Sequence, residues 1–234
     1  MNRLNFKRTV LWVLLIIGAI FGGVVFRDRS LSWLILSAVV ILCGYAFAKF
    51  EKKELSAGEI SVTAAMTALS VMGRLAFAAV PAFKPCSAVI ILTGMYLGAG
   101  QGFMAGALTA LVSNFYFSQG IWTPFQMLAW GLTGFAAGLL SKPLRKSTVL
   151  LCIFGGLAGG FFSVFMDFWS VIWADNAFNL SRFLAMTAGS VWFTLTYAAS
   201  NIIFLLLLKS PADRIFTRLR RKYGIGTSPM KGAE

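Results

Sequence analysis

The chain contains no histidine, only three cysteines and only eight acidic residues among 234. With Cys43, Cys86 and Cys152 isolated from one another, neither a Cys/His nucleophile nor a common metal site can be assembled. No metal, cofactor or disulfide is therefore expected. No G-x-S-x-G elbow, Walker A loop or paired-carboxylate pattern occurs either, so the chain is read as a non-enzyme. Any ATP-driven work would fall to another subunit. Charge is scarce as well, at 12% of residues against 58% hydrophobic, with a mean hydropathy of +0.78. That balance is too apolar for a soluble core of this length, and the fold class expected is an all-α integral membrane protein.

A spanning helix needs about 20 mostly apolar residues. Eight segments approach this: 9–26, 31–50, 60–80, 86–99, 102–118, 123–141, 148–173 and 182–208, of which 86–99 is short. The first follows Arg3, Lys7 and Arg8 in the charge order of a signal peptide, but no A-x-A-like site closes it, and it is read as a retained helix. Lys49, Glu51, Lys52, Lys53 and Glu54 then form a polar linker. The expected organisation is two accessory helices with a basic linker over 1–55, a six-helix module over 56–208 and a basic tail over 209–234.

Basic residues set the orientation, because Lys and Arg gather in short loops that stay in the cytoplasm. Alternating crossings place Arg3, Lys7 and Arg8, then Lys49, Lys52 and Lys53, then Lys142, Arg145 and Lys146, and finally Lys209 to Lys231 on one side. Arg27, Arg29, Lys84 and Arg182 fall on the other. Both termini are thus expected in the cytoplasm, with the protein in the plasma membrane. The net charge of +13 sits beside helix ends, where it suits the anionic inner leaflet better than a nucleic acid, and nucleic-acid binding is set aside. The tail Arg214–Lys222 reads as a solvated flank in preference to an amphipathic surface helix.

Polar residues inside apolar segments mark the interior, since a charge in hydrocarbon costs at least about 2.5 kcal/mol and faces a partner or a cavity. Arg74 and Asp167 are two such residues, either paired with each other or lining a pocket for a polar solute. Ser190, Thr194, Tyr197 and Asn201 recur on one helical face, as interhelical bonds or as a ligand wall. Thr123-Pro124 reads as an N-cap and first helical position, after which Gln126 and Trp130 share a face. With Lys84, Asn114, Gln119 and Trp122 they gather at one bilayer boundary as a candidate small-molecule site, to which Asp167, Ser190 and Thr194 are added. Trp169 and Trp173 read as interfacial anchors. Small residues four apart (Ala64/Ala68, Gly94/Gly98, Gly102/Gly106, Gly134/Gly138, Gly155/Gly159, Gly156/Gly160) permit close helix approach. Ala64/Ala68 can instead dock a partner helix.

Residues 56–208 resemble the substrate-binding S component of an energy-coupling factor (ECF) vitamin transporter. The resemblance rests on Ala64-x-x-x-Ala68, on the loop Ala79–Ser87 with Phe83-Lys84-Pro85, on Ser113-Asn114-Phe115, and on the block Gln119 to Met127. It implies a transporter subunit that captures a vitamin at the outer face and works with a transmembrane T component and two ATPases. Ala64 and Ala68 would meet the T component. The Phe83-Lys84-Pro85 and Gln119 to Met127 blocks are most similar to cobalamin or corrinoid members. The rivals are a membrane assembly protein without ligand and a self-sufficient secondary carrier. The two extra N-terminal helices depart from the family's six-helix core.

Overall fold

The computed structural model describes residues 30–51 and 55–225. The expected helix 9–26 and the end of the tail lie outside the described residues. The rest is helical, with no strand among the described residues: α1 (Ser30–Glu51), α2 (Ala57–Ala76), α3 (Cys86–Leu97), α4 (Ala99–Phe117), α5 (Thr123–Leu139), α6 (Ser141–Lys146), α7 (Thr148–Asp175), α8 (Leu180–Gly189) and α9 (Val191–Tyr223).

All twelve residues of α3 are buried, and α2, α4, α5, α6, α7 and α9 all touch it. A helix that is apolar on every side belongs in the middle of a bundle. At roughly 1.5 Å per residue α3 extends only about 18 Å, too short to cross a bilayer alone. Its chain reverses into α4 over Gly98, whose φ of 111° excludes ordinary side chains.

Glycine holds the centre together. A Cβ on Gly134 of α5 would lie 2.1 Å from the Gly102 oxygen, one on Gly94 of α3 would lie 2.0 Å from the Gly134 oxygen, and one on Gly106 would lie 2.3 Å from the Trp130 oxygen. Backbones of α3, α4 and α5 therefore touch directly, the packing mode of small residues in membrane helices. Gly159 abuts the α9 backbone at Ala198 in the same way and Gly155 makes room for the Leu205 side chain, whereas Gly160 has nothing nearby.

Three described helices are long and apolar enough to cross a membrane: α1 through its window Leu31–Ala48, α7 and α9. Of the other expected spans, α3 is apolar but short, and α2, α4 and α5 are less uniformly apolar because their inward faces carry hydroxyls, amides and Arg74. The last expected span differs in two ways. It breaks at Ser190 into α8 and α9, yet both halves follow α7 antiparallel in one register, through Arg182/Asp175, Ser190/Asp167, Thr194/Ser163, Asn201/Gly155 and Lys209/Thr148.

The helix also continues past 208 to Tyr223, with Pro211 inside it. The expected solvated flank is instead a docked helix: Phe216 is buried and stacks on Tyr96 at 4.5 Å, and the Tyr96 hydroxyl donates to the Asp213 carboxylate. Arg145 covers the other side of this contact, 5.2 Å from the Tyr96 ring. Ile225 closes against the start of α2 at Gly58. Ala212, Phe216 and Leu219 share a face, and burial of that apolar face outweighs solvation of the flanking arginines.

Trp169, expected as an interfacial anchor, is buried and stacks on Phe125 at 3.7 Å. Trp173 packs edge-on against Trp33 of α1. α1 is fastened at its start, where the Ser32 N–H donates to the Asn176 side chain and the Ser32 hydroxyl to the Ile172 carbonyl.

Replacing Gly134 by Val places two methyl groups where the α4 backbone runs, so Gly134→Val should cost more than about 4 kcal/mol or abolish folded protein, while Gly160→Ala stays within about 0.5 kcal/mol. Thermal unfolding in detergent, followed by size-exclusion recovery, checks both. A folded Gly134→Val protein would overturn the close α4–α5 contact.

Candidate functional site

Opposite the end that holds α6 and the α9 extension, the 77–85 and 118–122 connections converge on a polar cluster. Its centre is Arg74 in the last turn of α2, only 8% exposed. One guanidinium nitrogen, Nη1, donates to the Ser113 hydroxyl and to Asn114 Oδ1 at 2.8 Å. The cation lies 4.4 Å from the Phe117 ring centre and 4.9 Å from that of Trp130, which spreads its charge over two aromatic faces. α4 supplies Ser113, Asn114 and Phe117 at the i, i+1 and i+4 positions of one face.

Asn114 links this centre to α5. Its Nδ2 donates to Thr123 Oγ1 at 2.9 Å and to Gln126 Oε1 at 2.8 Å. Thr123 in turn donates to Gln119 Oε1, accepts from the Gly120 N–H, and leaves Gln119 Nε2 to bond the Leu111 carbonyl. Thr123 was expected to cap α5; the helix begins one residue earlier than that reading, with Trp122 at the N-cap, because the Thr123 hydroxyl is committed to Asn114 and Gln119.

Trp130 forms the floor, stacked on Phe162 of α7 at 5.0 Å and 8°, with Tyr197 edge-on to Phe162. Its indole Nε1 is buried without a hydrogen-bond partner. Lys84 forms the rim. Its ammonium donates to the Phe77 and Val80 carbonyls and stands 5.5 Å from the Phe117 ring. Burial holds that ammonium below its ordinary range; the Arg74 charge adds to the effect and Cys86 opposes it. The connection is tied to α9 where Ser200 bonds both the N–H and the carbonyl of Lys84, and where Phe77, Phe83 and Phe204 meet as an aromatic triad.

The sequence-derived candidates thus divide. Arg74, Lys84, Asn114, Gln126 and Trp130 come together, with Gln119 behind Thr123. Trp122 is 39% exposed and packs over Gly120 instead. Asp167, Ser190 and Thr194 form a ladder between helices: the Ser190 hydroxyl donates to Asp167 Oδ2, and the Thr194 hydroxyl to Ser163 at 2.7 Å. Asn201 bonds the Gly155 carbonyl at 2.9 Å. The considered Arg74–Asp167 ion pair does not form, because Asp167 is taken by the helix break and Arg74 by α4. Sequence reasoning missed Phe117 and Phe162. Phe117 lies one turn after Ser113, a spacing that was open to inspection; Phe162 lies on a distant helix and carried no signal.

A bundle of apolar helices defines an integral membrane protein, and its buried, aromatic-walled polar cluster near one end is the candidate small-molecule site. Residues 54–211 match the family described as ECF-type riboflavin transporter, S component. The chain belongs to that family, and is therefore a membrane transport protein, the substrate-specific subunit of an ECF transporter. Membership implies partnership with a T component and ATPases. The match begins after α1, so α1 lies outside the family region. No curated protein and no solved structure matches the chain.

Asn114→Leu keeps the branched shape but removes an acceptor from a buried cation and donors from Thr123 and Gln126. It should lower stability by roughly 1–3 kcal/mol, the cost of leaving buried polar groups unmet. An unchanged unfolding midpoint would mean that water replaces the amide and that the cluster is open.

Proposed function

We propose that this subunit captures a vitamin at the end carrying Arg74 and Lys84, that this end faces outside, and that riboflavin is the vitamin. The observation that carries the reading is the cluster of Arg74, Asn114, Gln126 and Trp130, walled by Phe117 and Phe162, within the span of the family match. Flat conjugated rings stack on such walls, and the amide and guanidinium groups supply direction. Riboflavin stands in the family's own description. The corrinoid expected from the Phe83-Lys84-Pro85 and Gln119 to Met127 blocks is the alternative cargo to be tested beside it.

Orientation follows from charge. Lys142, Arg145, Lys146 and the arginines of the α9 extension share the opposite end, and such loops stay in the cytoplasm. Both termini then lie inside, in the plasma membrane. Delivery proceeds with a T component and two ATPases. Ala64 and Ala68 lie on the outward face of α2, whose inward face holds Thr63, Thr67, Ser70 and Arg74. A smooth, exposed alanine face suits close approach of a partner helix.

Two measurements test this. Purified wild type should quench riboflavin fluorescence on binding, and Gln126→Ala or Trp130→Ala should weaken affinity roughly tenfold, equivalent to one lost contact of about 1.4 kcal/mol. Affinity unchanged in both variants would move the site elsewhere, and no binding of any vitamin would favour an assembly protein. Separately, Ala64→Trp with Ala68→Trp should spare ligand binding but reduce co-purification with the T component. Uptake driven by protons without ATPases would favour the secondary-carrier reading.

A further inference from the structure

Arg74 carries a charge that no carboxylate among the described residues neutralises. Its bonds all run through Nη1, to two neutral oxygens, and its remaining interactions are with aromatic faces. Nε and Nη2 have no acceptor among the described residues, and neither is sealed from the surface.

Hydrogen-bond polarity propagates from this one group. A guanidinium is a donor only, so the Asn114 atom that faces it must be the oxygen. That turns the Asn114 NH2 toward Thr123 and Gln126, which obliges Gln126 to present Oε1 to it and to leave Nε2 without a partner. Thr123, Gln119 and Ser113 close their remaining bonds among themselves and the α4 backbone. What the finished network leaves over is Arg74 Nε and Nη2, Gln126 Nε2 and the buried Trp130 Nε1, which are all donors. Of these only Trp130 Nε1 is sealed, and an unmet buried donor costs about 1–3 kcal/mol; the Arg74 and Gln126 donors reach the surface and are open to an incoming acceptor.

We propose that these three side chains form a donor-only edge that selects a ligand by its acceptors: a flat conjugated ring whose rim carries carbonyl oxygens and unprotonated ring nitrogens, bound with that rim against the free edge of Arg74. A guanidinium fork suits two adjacent acceptors, and a lysine at the same place would offer only a point charge. The aromatic walls accept the ring face, and the donors read its rim. A ligand that turns a ring N–H toward this edge meets unpaired N–H groups and is rejected, so riboflavin must present a carbonyl with an adjacent unprotonated ring nitrogen and keep its own ring N–H away from the fork.

The inference rests on the site being the vitamin pocket, and the test separates the two. Riboflavin and cyanocobalamin are titrated against wild type, Arg74→Lys, Gln126→Ala and Gln126→Glu, and the Raman carbonyl bands of bound riboflavin are recorded. Arg74→Lys should weaken riboflavin binding at least tenfold and shift a ring carbonyl band to higher frequency as the fork is lost. Gln126→Glu, which replaces the spare donor by an acceptor, should bind riboflavin more weakly than Gln126→Ala; it keeps the bond from Asn114, and so remains informative if Arg74→Lys fails to fold. Equal affinity and equal carbonyl bands in Arg74→Lys, or Gln126→Glu binding as well as Gln126→Ala, would overturn the donor edge while vitamin capture stands. Binding of cyanocobalamin alone would overturn the flat-ring assignment and leave capture standing. Binding of neither would overturn both.

Discussion

The polarity of the site follows from a guanidinium that can donate but not accept. Arg74 sits at the end of α2, bonds two residues of α4 and stacks between Phe117 and Trp130, so one side chain joins α2, α4 and α5. Because it has no acceptor, it sets the amide of Asn114, and Asn114 sets Gln126. Burying such a charge without a carboxylate is expensive. That cost is offset by two hydrogen bonds and two aromatic faces, while Nε and Nη2 have no acceptor among the described residues.

The cluster holds its geometry because the helices behind it cannot slide. Backbone contact at Gly94, Gly102, Gly106 and Gly134 brings α5 onto α4, which is what lets Gln126 reach Asn114. Along α7, the paired residues of α8 and α9 keep one antiparallel register through the break at Ser190. Phe162 is therefore positioned beneath Trp130 from a helix that the polar network itself does not touch. Removing a turn from either α7 or α9 would put the rungs on the two sides of the cut out of register with each other.

The opposite end is closed by different chemistry. Tyr96, Asp213, Phe216 and Arg145 form a stacked and hydrogen-bonded plug that holds the α9 extension against the short central helix. α2 meanwhile is turned inside out relative to a soluble helix, with hydroxyls inward and alanines outward. Thr63 and Thr67 satisfy themselves on carbonyls one turn back, and Ser70 bonds the Cys86 carbonyl. In lipid such a distribution is stable, because no water competes for the outward methyl groups.

Composition alone determined that this chain is a helical membrane protein, since 58% hydrophobic residues with few charges exclude a soluble core. Spacing of apolar runs located the described helices apart from the break at Ser190 and the extension to Tyr223, and the pairing of Gln126 with Trp130 on one face followed from a period of 3.6 residues. Local chemistry reached less far. The same period placed Ser190 and Thr194 on one face without saying whether a ligand or α7 would take their hydroxyls; the register of α7 against α9 decided for α7. Arg74 was recognisable as a buried charge, but its choice of Ser113 and Asn114 over Asp167 depended on which helices lie side by side. Phe162 entered the site, and the tail docked on Tyr96, through contacts between residues far apart in the chain. Periodicity is a property of a single helix, whereas a binding site is made where several helices face one another, and only the packed bundle settles which faces meet.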